Sequence, residues 1–186
     1  MGSRTKNKKQ PLSRHIFLIG FMGSGKSAVS RALARQLGVR RFEMDREIER
    51  SEGMRISEMF EKYGEEYFRD VETSFVKGLA GKRPVIVSCG GGVVLRAENV
   101  ASMKEQGTII LLDASPETIL SRVSHSDKRP ILNGHMNVEY ISELMSRRKE
   151  HYENAADLTV TTDGKSIDEV TEEILELLFP AEDKKK

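Results

Sequence analysis

The chain has 186 residues, of which 32% are charged, and its formal net charge at pH 7 is +1. This length predicts one α/β domain with a substantial core, and the balanced charge gives no overall bias toward nucleic acid or a membrane surface. No apolar run approaches membrane-spanning length. A single cysteine, Cys89, excludes an intramolecular disulfide and favours a reducing compartment, so we expect a cytoplasmic location.

The N-terminal segment is basic. Residues 1–14 contain five lysines and arginines and no acidic residue, which predicts a solvated, disordered tail. We expect one folded domain over residues 15–179 and a frayed end over residues 180–186.

Short apolar runs alternate with helical patterns along the rest of the chain. Helical patterns fill the intervals between the runs, and the last one covers Ile167–Leu178. Such alternation predicts a parallel sheet covered by helices on both faces. The strands are predicted at Ile16–Ile19, Arg41–Met44, Val85–Ser88, Thr108–Leu112 and Leu158–Thr161.

A phosphate-binding motif follows the first predicted strand. Residues 20–27 read GFMGSGKS and match the pattern G-x-x-x-x-G-K-S/T, and a helix is predicted from Ser27 to Leu37. The loop amides and the helix N-terminus attract phosphate, Lys26 reaches the β- and γ-phosphates, and the Ser27 hydroxyl can bind Mg²⁺. The alternative is a glycine-rich turn that matches by chance. The motif predicts a nucleotide site and leaves the reaction open.

Asp45 closes the second predicted strand and precedes a helix. It is interpreted as the N-cap of that helix, as a general base or orienter of an acceptor hydroxyl in the nucleotide cleft, or as both.

The helix predicted from Glu65 to Leu79 places Arg69 and Glu72 one turn apart beside its apolar stripe. The two residues form either a weak surface ion pair or an arrangement in which Glu72 holds the guanidinium so that its free edge grips a carboxylate.

Gly90, Gly91 and Gly92 follow the third predicted strand. A tight turn needs one glycine or two, so three indicate the close approach of a ligand at the end of the sheet where open α/β proteins bind ligands.

Further along, Ser115 and Pro116 form a helix start of cap followed by proline. Residues 124–137 are polar with little periodicity and predict a mobile loop over the nucleotide site. In the helix predicted from Glu139 to Ala155, Arg148 completes an apolar stripe. It is either a snorkelling or salt-bridged arginine or one that faces an anion.

Together these motifs make the stretch from Ile16 to Leu178 resemble the shikimate kinases, small P-loop kinases of aromatic amino-acid biosynthesis. Glu43 departs from the pattern, because the family usually has an aspartate there that is associated with the Mg²⁺ shell. The resemblance rests on GFMGSGKS, FEMD at residues 42–45, FRDVE at residues 68–72, the triple glycine, RPIL at residues 129–132 with Arg122 before it, and Arg148 with Tyr152 before Ala156 and Asp157.

The resemblance implies a P-loop kinase fold, with a five-stranded parallel sheet flanked by helices and a mobile lid. It implies transfer of the γ-phosphoryl group of ATP to the 3-hydroxyl of shikimate, with Mg²⁺ as cofactor. The implied partners are shikimate and ATP alone, with no nucleic acid and no membrane, and the implied state is a monomer.

The implied roles are carried over residue by residue. Asp45, Lys26 and Arg129 would be catalytic, with Arg129 closing from the lid. Ser27 would bind the metal, with Glu43 and Ser88 in its outer shell. Gly23, Ser24, Gly25, Lys26, Ser27, Ala28, Arg122, Arg129 and Lys165 would bind ATP, with Arg122 stacked near adenine. Asp45, Arg69, Gly90, Gly91, Gly92 and Arg148 would bind shikimate.

Two alternatives remain at this stage. The first is a P-loop kinase for another small hydroxylated acceptor, such as gluconate or a nucleotide. A nucleotide would need a second set of phosphate-binding arginines, whereas two arginines and one acid suit a carboxylate bearing hydroxyls. The second is a catalytically inactive binding module of the same family. Lys26, Ser27, Asp45 and Arg129 argue against that module, and Glu43 leaves it open.

Overall fold

A computed structural model of the chain describes residues 12–124 and 137–180. In this part of the chain five parallel strands form one sheet in the order β2-β3-β1-β4-β5. The five predicted strands are confirmed, except that Met44 belongs to a helix and that the third strand begins at Ile86 rather than Val85. The strands are β1 (His15–Ile19), β2 (Arg41–Glu43), β3 (Ile86–Ser88), β4 (Gly107–Asp113) and β5 (Leu158–Thr161).

Helices connect the strands, as the alternating pattern predicts. The helix start at Ser115 is confirmed, since its hydroxyl accepts a hydrogen bond from Thr118 N at 3.2 Å and Pro116 is the first helical residue. The helices are α1 (Lys26–Leu37), α2 (Met44–Glu52), α3 (Ile56–Lys77), α4 (Ala97–Gln106), α5 (Pro116–Val123), α6 (Val138–Ala155) and α7 (Ile167–Leu178), with a 3₁₀ turn at Val93–Leu95.

The sheet buries both of its faces, because alternate residues of a strand point to opposite sides. In β1, Phe17 and Ile19 pack with residues of α2, α3 and α4. Ile16 and Leu18 point the other way and pack with residues of α1 and α7. A smaller apolar cluster joins α5 to α6 beside the nucleotide-binding loop.

Helix α3 is broken at Gly64. Its φ of 81° and ψ of 174° lie in a region of backbone conformation that is essentially restricted to glycine. The helix predicted to begin at Glu65 is the second of the two stretches, and it ends at Lys77 rather than Leu79.

Several expectations lie outside the described residues: residues 125–136 of the lid loop predicted over residues 124–137, the basic tail up to residue 11, and residues 181–186. Within the part that is described, no helix combines the length and apolar character needed to cross a membrane.

Candidate active site

The phosphate-binding loop joins β1 to α1. Gly20, Gly23 and Gly25 all have positive φ, and a side chain on Gly20 would collide with the backbone carbonyl of Leu112. The Lys26 ammonium donates to the carbonyl oxygens of Gly20 and Phe21 at 2.8 and 2.9 Å, so it lies along the loop. Strand, loop and helix occur in the order that the motif requires.

A cavity of about 420 Å³ opens beside this loop, between α1 and the segment that leads into α7. Arg122 donates to the hydroxyl and the carbonyl of Thr162, each at 2.9 Å, and Lys165 forms an ion pair with Glu173 at 2.5 Å. Gly23 lies at the edge, where its carbonyl accepts from Arg122 at 3.4 Å. The predicted ATP-binding residues that line the cavity are Ser24, Gly25, Ala28, Arg122 and Lys165.

The two residues expected near a metal are in contact. The Ser27 hydroxyl donates to Glu43 Oε2 at 3.0 Å, and the other Glu43 oxygen is paired with the Arg41 guanidinium. Ser88 is buried on β3, in register with Glu43. Within residues 12–124 and 137–180, no group of three or more His, Cys, Asp or Glu side chains is placed to hold a metal.

The structure corrects the interpretation of Asp45. Strand β2 ends at Glu43, which is also the N-cap residue of α2, so Asp45 neither closes the strand nor caps the helix. Asp45 lies in the first turn of α2 because Met44 turns inward to the core and begins the helix there.

Asp45 and Glu72 meet beside Gly90. A Cβ atom on Gly90 would lie 2.7 Å from Asp45 Oδ1 and 3.1 Å from Glu72 Oε1, so a larger residue would displace the Asp45 carboxylate and crowd that of Glu72. The Asp45 side chain is open to solvent in the cleft. The surrounding protein still displaces part of its hydration and raises its pKa, whereas the nearby Lys26 charge lowers that pKa.

The pair formed by Arg69 and Glu72 is buried, so the weak surface pair is the wrong interpretation. Arg69 Nη1 donates to Glu72 Oε2 at 2.5 Å, and Glu72 is 1% exposed. Burial raises the pKa of Glu72, while the hydrogen bond and charge of Arg69 lower it. The other side of the guanidinium donates to Glu65 Oε1, at 2.7 Å from Nη2 and 3.1 Å from Nε.

The remaining two glycines contact the two arginines. A Cβ atom on Gly92 would lie 2.7 Å from Arg69 Cζ, so any side chain there would displace the guanidinium. A Cβ atom on Gly91 would lie 3.7 Å from Arg148 Nη1 and 3.6 Å from the Tyr152 hydroxyl. The triple glycine therefore brings Asp45, Arg69 and Arg148 to one cleft at the carboxyl end of β3.

Sequence reasoning gave Tyr152 no role of its own. Its side chain is 5% exposed, and its hydroxyl donates to Gly91 O at 2.6 Å. Burial raises the pKa of Tyr152, and the charge and hydrogen bond of Arg148 partly offset that rise. The sequence feature that could have predicted a role for Tyr152 is its place one helical turn after Arg148 on the same apolar stripe.

Two further residues, Arg129 and Cys89, were singled out in the sequence. Arg129, the expected lid residue, lies outside the described residues. Cys89 is buried between the end of β3 and the triple glycine, and this burial raises the pKa of its thiol.

Comparison with known proteins identifies close relatives. A family model described as shikimate kinase matches residues 22–179. The shikimate kinase of Persephonella marina is 44% identical over 162 residues, which cover 87% of this chain and 97% of that protein. The shikimate kinase of Geobacter sulfurreducens is 41% identical over 161 residues, which cover 87% and 88%.

Solved structures give the same result. Shikimate kinase from Acinetobacter baumannii in complex with shikimate superposes with a TM-score of 0.80 and 32% identity, over 89% of this chain and 92% of that one. The enzyme from Aquifex aeolicus has a TM-score of 0.75 and 38% identity, over 88% and 95%. A gluconokinase from Sinorhizobium meliloti, with a TM-score of 0.58 and 21% identity, shares the fold alone.

Proposed function

Since the chain belongs to the shikimate kinase family, we propose that its cleft transfers the γ-phosphoryl group of ATP to the 3-hydroxyl of shikimate, giving shikimate 3-phosphate and ADP. The observation that carries the proposal is the meeting of Asp45, Arg69 and Arg148 around the triple glycine, next to the phosphate-binding loop. Two cations suit a carboxylate, and one acid suits a hydroxyl.

On the nucleotide side, Lys26 and the loop amides hold the phosphates. The Lys26 ammonium, which now donates to Gly20 O and Phe21 O, exchanges these carbonyls for phosphate oxygens. Arg122 and Lys165 line the cavity that takes the nucleoside. Because ATP is the co-substrate of the family, most of the rate enhancement comes from positioning and from offsetting phosphate charge.

The residues around Ser27 fit a magnesium ion. Ser27 and Glu43 are hard oxygen donors in contact with each other at the end of the phosphate-binding loop. Ser27 would bind the ion directly, and Glu43 would act from its outer shell. When bound, Mg²⁺ neutralises charge on the β- and γ-phosphates.

On the acceptor side, Asp45 accepts a hydrogen bond from the reacting hydroxyl and takes its proton. A raised pKa makes the carboxylate a better proton acceptor, and the Lys26 charge opposes that rise and favours the ionised form. The same lysine contacts the transferred phosphate, so the base and the phosphate site are adjacent.

Arg69 and Arg148 bind the substrate carboxylate. Glu72 is buried and holds one edge of the Arg69 guanidinium permanently, whereas Glu65 is 61% exposed and can yield its edge to the incoming carboxylate. The triple glycine offers backbone N–H groups between the two arginines. We further propose that the protein acts as a cytoplasmic monomer and that Arg129 closes over the phosphates.

A coupled assay of ADP release tests the function, with shikimate, quinate and gluconate compared as acceptors. We expect turnover with shikimate, and kcat/KM values for the other two at least about 100-fold lower. Quinate has a saturated ring with one more hydroxyl and gluconate is an open chain, so neither presents its carboxylate and hydroxyls in the arrangement that the site pairs. Preferred turnover of gluconate would favour the other acceptor class. Shikimate binding without ADP release would favour an inactive binding module.

A further inference from the structure

The three carbonyl groups of the triple glycine are each fixed by a hydrogen bond. Those of Gly90 and Gly92 accept from backbone N–H groups of the turn that follows, at 3.3 and 3.0 Å. The middle carbonyl, of Gly91, accepts from the Tyr152 hydroxyl, which lies 61 residues further along the chain on α6. The orientation of this one peptide therefore depends on a side chain from another element.

Fixing that carbonyl also fixes an N–H group. The peptide between Gly91 and Gly92 is planar and trans, so its carbonyl and its N–H point in opposite directions. Gly92 lies against the Arg69 guanidinium, and a Cβ atom on Gly91 would lie within van der Waals distance of Arg148. The peptide that Tyr152 holds thus stands between the two arginines.

Tyr152 also lies near one of those arginines. Arg148 and Tyr152 are one turn apart on α6, and a Cβ atom on Gly91 would lie 3.7 Å from Arg148 Nη1 and 3.6 Å from the Tyr152 hydroxyl. The Arg148 charge lowers the pKa of that hydroxyl. A hydroxyl can donate one hydrogen bond and accept two, so the donation to Gly91 O and the contact with Arg148 are compatible.

We infer that Tyr152 is a positioning residue for the substrate carboxylate: its hydroxyl sets the direction of the Gly91–Gly92 peptide and of the Arg148 guanidinium together. The inference rests on the proposed function, since the carboxylate is that of shikimate. Tyr152 contacts the groups that bind the acceptor and not the acceptor itself.

The test is Tyr152→Phe, which keeps the buried ring and removes only the hydroxyl. We expect KM for shikimate to rise about tenfold, the loss typical of one well-formed hydrogen bond. We expect kcat at saturating shikimate and KM for ATP to stay within about twofold of the parental values. The matched control is Tyr67→Phe. The Tyr67 hydroxyl donates to Glu52 of α2 at 2.5 Å and not to a glycine of the cleft, so its removal should leave both KM values parental.

A second substrate separates positioning from a general structural loss. The methyl ester of shikimate lacks the negative charge. The ratio of the KM for the ester to the KM for the acid therefore measures how strongly the site binds the carboxylate. Tyr152→Phe should reduce this ratio about tenfold, with the KM for the ester little changed. An equal rise in KM for acid and ester would overturn the inference.

The parental enzyme keeps this test apart from that of the function. If it releases no ADP with shikimate, the proposed function fails. If it does, and Tyr152→Phe shows the parental KM for shikimate in a protein with the parental melting temperature, only the role of Tyr152 is wrong. The double variant with Arg148→Lys should show non-additive effects on that KM, because both residues act on one carboxylate.

Discussion

At the scale of single residues, Asp45 has the surroundings that a general base needs. Its carboxylate faces the cleft beside Gly90, protein crowding raises its pKa, and Lys26 supplies a compensating charge. Since Glu43 is the N-cap residue of α2, replacing Asp45 removes no helix cap, and its effect on activity can be interpreted directly.

We predict that Asp45→Asn lowers kcat by roughly 10²–10⁴, the usual contribution of a general base. Asparagine still accepts a hydrogen bond but takes no proton. ATP affinity should barely change, because Lys26 and the loop amides make those contacts. Steady-state rates and calorimetric ATP binding on one preparation check this, and a near-parental kcat would leave the acceptor hydroxyl without an identified base.

The same variant should alter stability in a pH-dependent way. A carboxyl whose pKa is raised on folding binds protons more tightly in the folded state, so its ionisation destabilises the fold as pH rises through the interval between the unfolded and folded pKa values. Asp45→Asn should therefore melt above the parental protein at pH 7. The difference should close below about pH 4, near the pKa of a free aspartate. A constant difference across this range would contradict the raised pKa.

Glu43 carries the departure from the family pattern, and its contact with Ser27 suggests how the longer side chain still serves the metal. We predict that Glu43→Asp retains activity and that Glu43→Ala raises the Mg²⁺ concentration needed for half-maximal rate. Titration of ADP binding with Mg²⁺ by calorimetry gives a readout apart from turnover. Glu105→Ala, an exposed acid at the opposite end of the sheet, should titrate like the parent. If Glu43→Ala also shows the parental Mg²⁺ titration, Glu43 has no role in metal binding and is only a charge near the loop.

At the scale of elements, the break in α3 separates its first segment, which begins with Ile56, from the segment that carries Arg69 and Glu72. Both segments contact α2, because Ile56 N donates to Glu49 and the Tyr67 hydroxyl donates to Glu52. Gly64 makes this break possible, and a Cβ atom there would meet nothing within 4 Å. Any cost of a larger residue is therefore backbone strain rather than a steric clash.

We predict that Gly64→Asn lowers the free energy of unfolding by about 1–3 kcal/mol. The matched control is Gly53→Asn, because Gly53 has φ 66° and ψ 17°, a left-handed conformation that asparagine tolerates. Chemical denaturation of the two variants compares them. Equal stability of the two variants would mean that α3 straightens at Gly64 without a loss of stability. A straightened α3 would move Arg69, and the KM for shikimate should then rise in Gly64→Asn.

At the scale of the whole molecule, much of the fold follows from local patterns. Buried parallel strands are short apolar runs, and the phosphate-binding loop, the Ser115 cap and the triple glycine are contiguous segments. The carboxyl ends of parallel strands share one edge of the sheet, so the sequence already predicted that Asp45, the glycines and Lys26 would come together.

What the sequence did not predict depends on packing between distant segments. The strand end at Glu43 is set by the burial of Met44, and the broken α3 is set by a backbone conformation at Gly64 that composition alone does not reveal. The hydrogen bond from Tyr152 to Gly91 joins residues that are 61 positions apart in the sequence. The spacing of apolar residues within one helix or strand gives no information about such a contact. The interpretation of Asp45 as an N-cap residue was wrong for the same reason, because the helix propensities of neighbouring residues do not determine at which residue α2 begins.

The buried Cys89 provides an intrinsic probe of local opening, because its rate of reaction with a thiol reagent reports how often this part of the protein opens. It is the single cysteine of the chain, and it lies 3% exposed directly before the glycines, so an aromatic disulfide reagent can react with it only when the catalytic edge of the sheet opens. Each reaction therefore records one opening event, with no label to engineer. We predict a native-state labelling rate far below that of the unfolded chain, slowed further by shikimate together with ADP and Mg²⁺ in proportion to occupancy. Absorbance of the released thiolate follows it, and reaction at the unfolded rate would contradict the burial.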